Sequence, residues 1–502
     1  MTNTNCDAVL THNLELVKHF TEDKNLASLW SWFARICATP HPSYHEETLA
    51  QMIVAWAKSQ NLEVYRDSVG NVIIKKCATK GYENRTPIAL QAHLDMVPQA
   101  NADTPHDFSV DPIKLRLDGD WLMATGTTLG ADNGIGMASC LAVLASDDLP
   151  HPRLEVLLTM TEETGMVGVK GLQAGTLTAP IMINTDTEEI GEVYIGCAGG
   201  IDADLSLPVD WEDHSFNLAI DLTIKGLKGG HSGLDIDQNR SNAIKVLARL
   251  LKDVHSKHGD KFAIASILGG TLRNAIARES NAVIVLDAAD EQEILTTVQQ
   301  SFEAIFTEIC HAEKNAKMIT AKTDLPSCAL SLTSTAKVID FINVLPSGVV
   351  RFSDVAEDTV ETSLSFGMLS LGDKLEAVLL IRSLLESGKT SVMQTLSSLA
   401  ALAGAQAVFD GDYVGWNPDL ESNITPLTVE LYEQILGEKP QVKVIHAGLE
   451  CGLIKQSHPD LDIVSIGPTI KNAHSPDEKV QISTVETYWQ LLIKILANAP
   501  KA

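Results

Sequence analysis

Five short segments of the chain carry side chains able to do chemistry. TPIALQAHLDMV (86–97) sets His93 and Asp95 two residues apart, on one face of an extended strand. GADNGIG (130–136) puts Asp132 where a helix begins, a position at which Asp is a preferred cap. LTMTEETG (158–165) ends an apolar run on Glu162-Glu163, and IMINTDTEE (181–189) ends one on Asp186. IVSIGPTIKNAHSPDE (463–478) carries His474 in the loop after its apolar run. Each has an ordinary reading when taken alone: a satisfied His–Asp pair, a helix cap, a solvated turn, a solvated acid, and a turn histidine.

Taken together the ordinary readings weaken. In an open parallel sheet the carboxyl ends of the strands share one edge, where ligands bind. Carboxylates and imidazoles crowded there repel, or keep protons, unless cations neutralise them. The donor set is all oxygen and nitrogen with no thiolate, which suits Zn²⁺, Mn²⁺ or Co²⁺. Asp132, Glu163 and Asp186 supply three negative charges and a hydroxide a fourth, and two divalent ions balance them. A single ion leaves the cluster strongly negative. Two ions sharing a carboxylate and a hydroxide are a hydrolytic centre.

The elements that must position these residues can be read from the apolar pattern. Residues 12–37 and 44–60 are patterned as amphipathic helices, and 130–146 as a buried helix. Segments 69–76, 86–97, 154–161 and 179–185 are nearly continuous apolar runs, as in strands covered on both faces. The expected fold class is α/β, with a mostly parallel sheet. From Gly199-Gly200 the strands at 217–226, 262–270 and 281–288 alternate more regularly, with helices at 241–257 and 291–314. This β-α-β-β-α order suits an α+β layer, and a similar order recurs over 317–409 without a residue-level repeat. After Tyr413 the α/β character returns, with a strand at 461–468 and a closing helix. A catalytic domain of 1–199 plus 413–502, interrupted by an inserted domain of 200–412, is the simplest division.

Bulk properties narrow the function classes. The chain has 502 residues, enough for two or three domains. Its formal net charge of −27 opposes binding to nucleic acid or to anionic membrane surfaces. The eight cysteines are dispersed, with no zinc-clip or CxxC spacing, and read as buried thiols in a reducing compartment. The N-terminal twenty residues lack the pattern of a signal peptide, and no apolar run reaches the ~20 residues of a membrane helix. Cytoplasmic residence is the expectation.

At HLD (93–95), GADNG (130–134), EETG (162–165), NTD (184–186) and the late His474 the sequence resembles the co-catalytic zinc metallopeptidases, the family that includes aminoacylase, carboxypeptidase G, succinyl-diaminopimelate desuccinylase and peptidase V. Longer strings, among them QAHLDMVPQ, TTLGADNGIGMA, TEETGMVG, GCAGG, KGLKGGHSG, RNAIARE, HAGLECG and NAHSPDE, resemble its aminoacyl-histidine dipeptidase branch and run from residue 91 to 478. The resemblance implies that His93 and Asp186 bind one metal, Glu163 and His474 the other, and that Asp132 bridges them. It implies Glu162 as general base and Asp95 as the residue orienting His93, the role that the HxD spacing suggests by itself. The inserted domain would be a lid. His231 would donate to the tetrahedral oxyanion, Asn274 and Arg382 would grip the substrate carboxylate, and Glu450 would meet its ammonium or act as a cap. The implied reaction is hydrolysis of Xaa-His dipeptides such as β-alanyl-histidine by a metal-bridging water. The alternatives are a broad dipeptidase, an N-deacylase of the same family, or a metal-binding protein without catalysis, which would need no Glu162. The lid is about twice one β-α-β-β-α module, so its second half could stand in for a partner subunit, and a homodimer stays open.

Overall fold

The computed structural model describes residues 4–101, 103–354 and 359–501. The chain divides into two compact units: Met1–Gly196, Trp416–Val444 and Leu449–Ala502 form the first, and Cys197–Gly415 with Ile445–Gly448 form the second. The sequence reading divides the chain at 199/200 and 412/413. The compact units divide it at 196/197 and 415/416, and they give the tetrapeptide Ile445–Gly448 to the second unit, a crossing that no apolar pattern signals.

The first unit is α/β. Its eight-stranded sheet runs Glu63–Arg66, Val72–Lys76, Leu154–Thr159, Ile88–His93, Ile181–Asn184, Asp462–Ser465, Glu192–Cys197, Gln441–Ile445. The four central strands, Leu154–Thr159 to Asp462–Ser465, are mutually parallel, and the strands that flank them pair antiparallel. The sheet is therefore mixed, with a parallel centre. Ile88–His93 and Leu154–Thr159 are buried at every position, which explains their unbroken apolar character. The helix Ala131–Ala145 is buried everywhere except Asp132 and Ala145. Residues 12–37 are not one helix: Thr4–Val17 and Lys24–Cys37 are separate. Asp23 ends the continuity by capping the second, accepting from the N–H of Asn25 and Leu26 at 2.8 and 2.9 Å.

The second unit is an antiparallel sheet with helices, and its strand order reveals a duplication. The path is Lys317–Thr323, Leu218–Lys225, Ser280–Leu286, Phe262–Gly269, Val360–Leu371, Lys374–Ser383, Gly199–Pro208, Gln406–Tyr413. Read from the seam between Phe262–Gly269 and Val360–Leu371, the two halves have the same order. In each, the outermost strand comes last in the chain and its inner neighbour comes first. Gly199–Pro208 is thus the first strand of the second module, separated from the rest of it by the whole first module. The sequence reading begins the second module at residue 317, but Lys317–Thr323 closes the first, pairing with Leu218–Lys225. Gly199–Pro208 pairs with Lys374–Ser383 more than 160 residues later, a relation that no local period encodes.

Candidate active site

The parallel strands of the first unit end together, and their loops bring seven of the expected residues to one place. His93 closes its strand and is 1% exposed. Its Nδ1 donates to the Asp95 carbonyl oxygen at 3.0 Å and lies 3.3 Å from Asp95 Oδ1. That leaves Nε2 facing the site, 3.2 Å from Asp132 Oδ1 and 3.5 Å from Asp186 Oδ1. His474 Nε2 lies 3.3 Å from Asp132 Oδ2 and 3.0 Å from Glu163 Oε2. Asp132 therefore turns one oxygen to each imidazole.

Two groups with metal-binding spacing follow, His93–Asp132–Asp186 and Asp132–Glu163–His474, and Asp132 belongs to both. A third, His93–Glu162–Glu163, lies beside them. Asp132 does not cap its helix. At φ −82°, ψ 111° it leaves the helical path and sends its carboxylate to the imidazoles.

The electrostatics are those of an anionic cluster. Burial raises Glu162 well above the usual carboxylate range, and Glu163 adds to the rise. Burial and Asp132 push Glu163 up to about 7, and burial raises Asp186. Burial disfavours the charged imidazoles, yet the carboxylates overcome it: Asp186, Asp132 and Asp95 raise His93 well above its ordinary value, and Asp132 and Glu163 raise His474 to about 12. Asp132 is held below the usual range by His474 and His93 against the effect of burial. The donor set fits a pair of divalent ions sharing Asp132.

Asp95 also holds the loops, together with Ser43, Glu46 and Glu478, which the sequence reading does not single out. Asp95 accepts from Ser43 Oγ at 2.7 Å and from the N–H of Glu162 and Glu163 at 2.8 and 3.2 Å. Glu46 accepts from both the N–H and the hydroxyl of Thr161. Glu478, the last residue of NAHSPDE, accepts from four successive N–H groups, Leu129 to Asp132, at 2.6–3.3 Å. Sequence offered one faint signal, a carboxylate four residues after His474, with nothing to name its target.

Glu450 is also in this unit but lies beneath the cluster, 1% exposed, with Oε2 taken by Gln91 Nε2 and Thr159 Oγ1. Its other oxygen, Oε1, has no hydrogen-bond partner among the described residues, so neither oxygen caps the helix Glu450–Ser457 that it begins.

In the second unit, the strand residue His231 pairs with Ala275, next to Asn274. His231 Nδ1 accepts from the N–H of Gly233 and Leu234 at 3.2 and 3.0 Å, which places the ring proton on Nε2. Arg382 Nη2 is 3.5 Å from that Nε2, so two donors face one another. The Arg382 side chain is buried, with Nη1 donating to the Tyr413 hydroxyl at 2.7 Å and Nε to Ser232 Oγ at 3.4 Å. Gly233 is required here, because a Cβ would lie 2.0 Å from the His446 carbonyl oxygen. Asn274 is exposed.

A partly buried carboxylate cluster with one buried and one exposed imidazole, at the carboxyl edge of a parallel sheet, defines a hydrolytic site of the metal-assisted class. The sequence model of Peptidase family M20/M25/M40 matches residues 89–498, and the chain belongs to that family. It is a hydrolase acting on peptide bonds. The chain is 50% identical over 475 residues to the cytosol non-specific dipeptidase of Escherichia coli (strain K12), covering 94% of this chain and 97% of that protein. It is 46% identical to aminoacylhistidine dipeptidase from Vibrio alginolyticus, whose crystal structure superposes with a TM-score of 0.81 over 97% of this chain and 98% of that one. Aminopeptidase PepT from Bacillus cereus, at 15% identity, a TM-score of 0.54 and coverage of 94% and 98%, shares the fold. No helix among the described residues is long and apolar enough to cross a membrane.

Proposed function

We propose that this chain is a dinuclear metallo-dipeptidase that hydrolyses Xaa-His dipeptides, β-alanyl-histidine among them. The observation that carries the reading is the position of Asp132, one oxygen toward His93 and the other toward His474, with Asp186 and Glu163 on the respective flanks. His93 and Asp186 would hold one divalent ion, Glu163 and His474 the other, and Asp132 both. The oxygen and nitrogen donors suit Zn²⁺, with Co²⁺ or Mn²⁺ as substitutes. When bound, the pair would supply Lewis acidity and make a water acidic enough to attack at neutral pH.

The chain's own residues divide the remaining work. Glu162 belongs to the group that includes His93 and Glu163, and its carboxylate accepts no hydrogen bond among the described residues. It takes the proton of the attacking water and returns it to the leaving amine. Asp95 holds the His93 ring so that Nε2 faces the site. His231 offers its Nε2–H to the tetrahedral oxyanion. Arg382 and Asn274 take the substrate's terminal carboxylate. Small peptide substrates and cytoplasmic residence complete the reading. The name of the Vibrio alginolyticus relative supports the Xaa-His class, while that of the Escherichia coli relative, a cytosol non-specific dipeptidase, supports dipeptides in general and the compartment.

One experiment tests the whole. The purified protein is assayed for bound metals and given β-alanyl-histidine, other Xaa-His dipeptides, dipeptides ending in other residues, and N-acyl amino acids. Two ions per chain and turnover of the Xaa-His set are expected. Equal rates across all dipeptides would move the reading to a broad dipeptidase. Preference for N-acyl amino acids would overturn it.

A further inference from the structure

Beneath the carboxylate cluster the four parallel strands each contribute one polar side chain to a continuous buried ladder. Ser465 Oγ donates to Asn184 Oδ1 at 2.5 Å, and Asn184 Nδ2 donates to Gln91 Oε1 at 2.5 Å. Gln91 Nε2 donates to Glu450 Oε2 at 2.6 Å, and Thr159 Oγ1 donates to the same oxygen at 2.5 Å. Thr187 extends the other end with a hydroxyl contact to Ser465 at 2.8 Å. All six residues are at most 1% exposed. The backbone register sets Gln91 beside Asn184 and Asn184 beside Ser465, so the ladder is built into the pairing of the strands.

The ladder has a direction. Each amide accepts on its oxygen and donates from its nitrogen toward Glu450, whose Oε2 is the terminal acceptor. Reversing Gln91 would face like poles on both sides, and reversing Asn184 would set oxygen against oxygen at Gln91 and donor against donor at the Asp186 N–H, so the carboxylate fixes the orientation of the row. Gln91 lies two residues before His93, on the same face of the strand. Asn184 lies two before Asp186, and its Oδ1 also accepts the Asp186 N–H at 3.2 Å. The rungs thus stand directly behind the two residues assigned to one metal. Among the described residues, Glu450 Oε1 has no hydrogen-bond partner. That oxygen is buried as well, so both carboxylate oxygens lie within the fold.

We propose that Glu450 is a positioning residue that anchors this ladder and thereby sets the placement of His93 and Asp186, rather than a contact for the substrate's ammonium. The inference rests on the metal-binding reading only for its consequence. The ladder itself stands on hydrogen bonds within one unit.

The test compares Glu450→Gln, which keeps an acceptor oxygen but no charge, with Glu450→Met, which keeps neither. Metal-free parent and variants are titrated with Co²⁺ alone, read by visible absorption, and backbone hydrogen exchange is measured at 90–93 and 184–186. Glu450→Met is expected to weaken one of the two Co²⁺ sites about 10–100-fold, as for loss of an outer-shell partner, and to speed exchange at both segments. Glu450→Gln is expected to restore both to within a few-fold of the parent. Parental Co²⁺ affinities and exchange in Glu450→Met would overturn the proposal. So would equal losses in Gln and Met variants confined to KM, the signature of an ammonium contact. A parent that binds no Co²⁺ would sink the metal reading alone, because the exchange comparison still judges the ladder.

Discussion

The N–H of Glu162 donates to Oδ1 of Asp95 at 2.8 Å. The carboxylate that faces His93 Nδ1 therefore also holds the peptide carrying the proposed base. Its other oxygen accepts from Ser43 and Glu163, so one buried side chain ties the His93 strand to the Glu162 loop. Asp95→Ala is expected to reduce metal affinity about 10–100-fold and to lower kcat even when the metal is saturating. A variant whose kcat recovers fully at high metal concentration would show that Asp95 serves His93 alone.

Glu162→Ala separates binding from chemistry. The residue is assigned no metal, so the variant should hold two ions per chain while its turnover falls at least ~10²-fold, the lower range for a lost general base. Metal content and kcat measured on the same preparation decide it. Near-normal turnover would reassign the base.

Asp132 faces both imidazoles, and its replacement by Ala should damage both metal sites. Loss of one ion with parental retention of the other, read by metal titration, would show that it does not bridge. The same variant removes one of the two carboxylates that raise the His474 pKa against burial.

How much of this was legible depended on distance along the chain. His93, Asp95, Glu162, Glu163 and Asp186 stand at or just after strand ends, where period and burial mark them, and the structure brings them together with Asp132 and His474. Residue type places Asp132 at a helix start, but its backbone departs from the helix and its carboxylate lies against two histidines. Glu450 is offered by the resemblance as a contact to the substrate's ammonium or a helix cap. Its burial depends on Gln91 and Thr159, roughly 360 and 290 residues earlier, and a single sequence does not show such pairings. Glu46 and Glu478 escaped notice for the same reason. The second unit's duplication was visible as element order, but the strand that starts its second module precedes the first.

In the second unit the facing donors of His231 and Arg382 predict a division of effects. His231→Ala should lower kcat about 10²–10³-fold, as for a lost oxyanion donor. Tyr413→Phe removes the hydroxyl that holds Arg382 Nη1, and should raise KM with little change in kcat. Dipeptide amides, which lack the terminal carboxylate, should respond to His231→Ala and hardly to Tyr413→Phe. Equal responses of acids and amides to Tyr413→Phe would remove the carboxylate from Arg382.

Glu478 carries the last prediction, one of stability. Its two oxygens accept four successive N–H groups in the turn leading into Asp132, and the side chain is buried. Bonds to a charged acceptor are worth about 1.5–3 kcal/mol each in isolation, partly offset here by the cost of burying the carboxylate. Glu478→Ala leaves those donors without a partner and should destabilise the first unit by about 3 kcal/mol. Thermal unfolding followed by tryptophan fluorescence reads the change, since Trp30, Trp32, Trp56 and Trp489 all lie in that unit. Glu478→Gln keeps one acceptor oxygen and should recover part of the loss. Because the turn it holds also carries Asp132, metal affinity should fall in step with stability across the two variants. An unfolding midpoint that drops while metal affinity stays parental would show that the turn is held by the rest of the sheet edge, and that Glu478 acts on the fold alone.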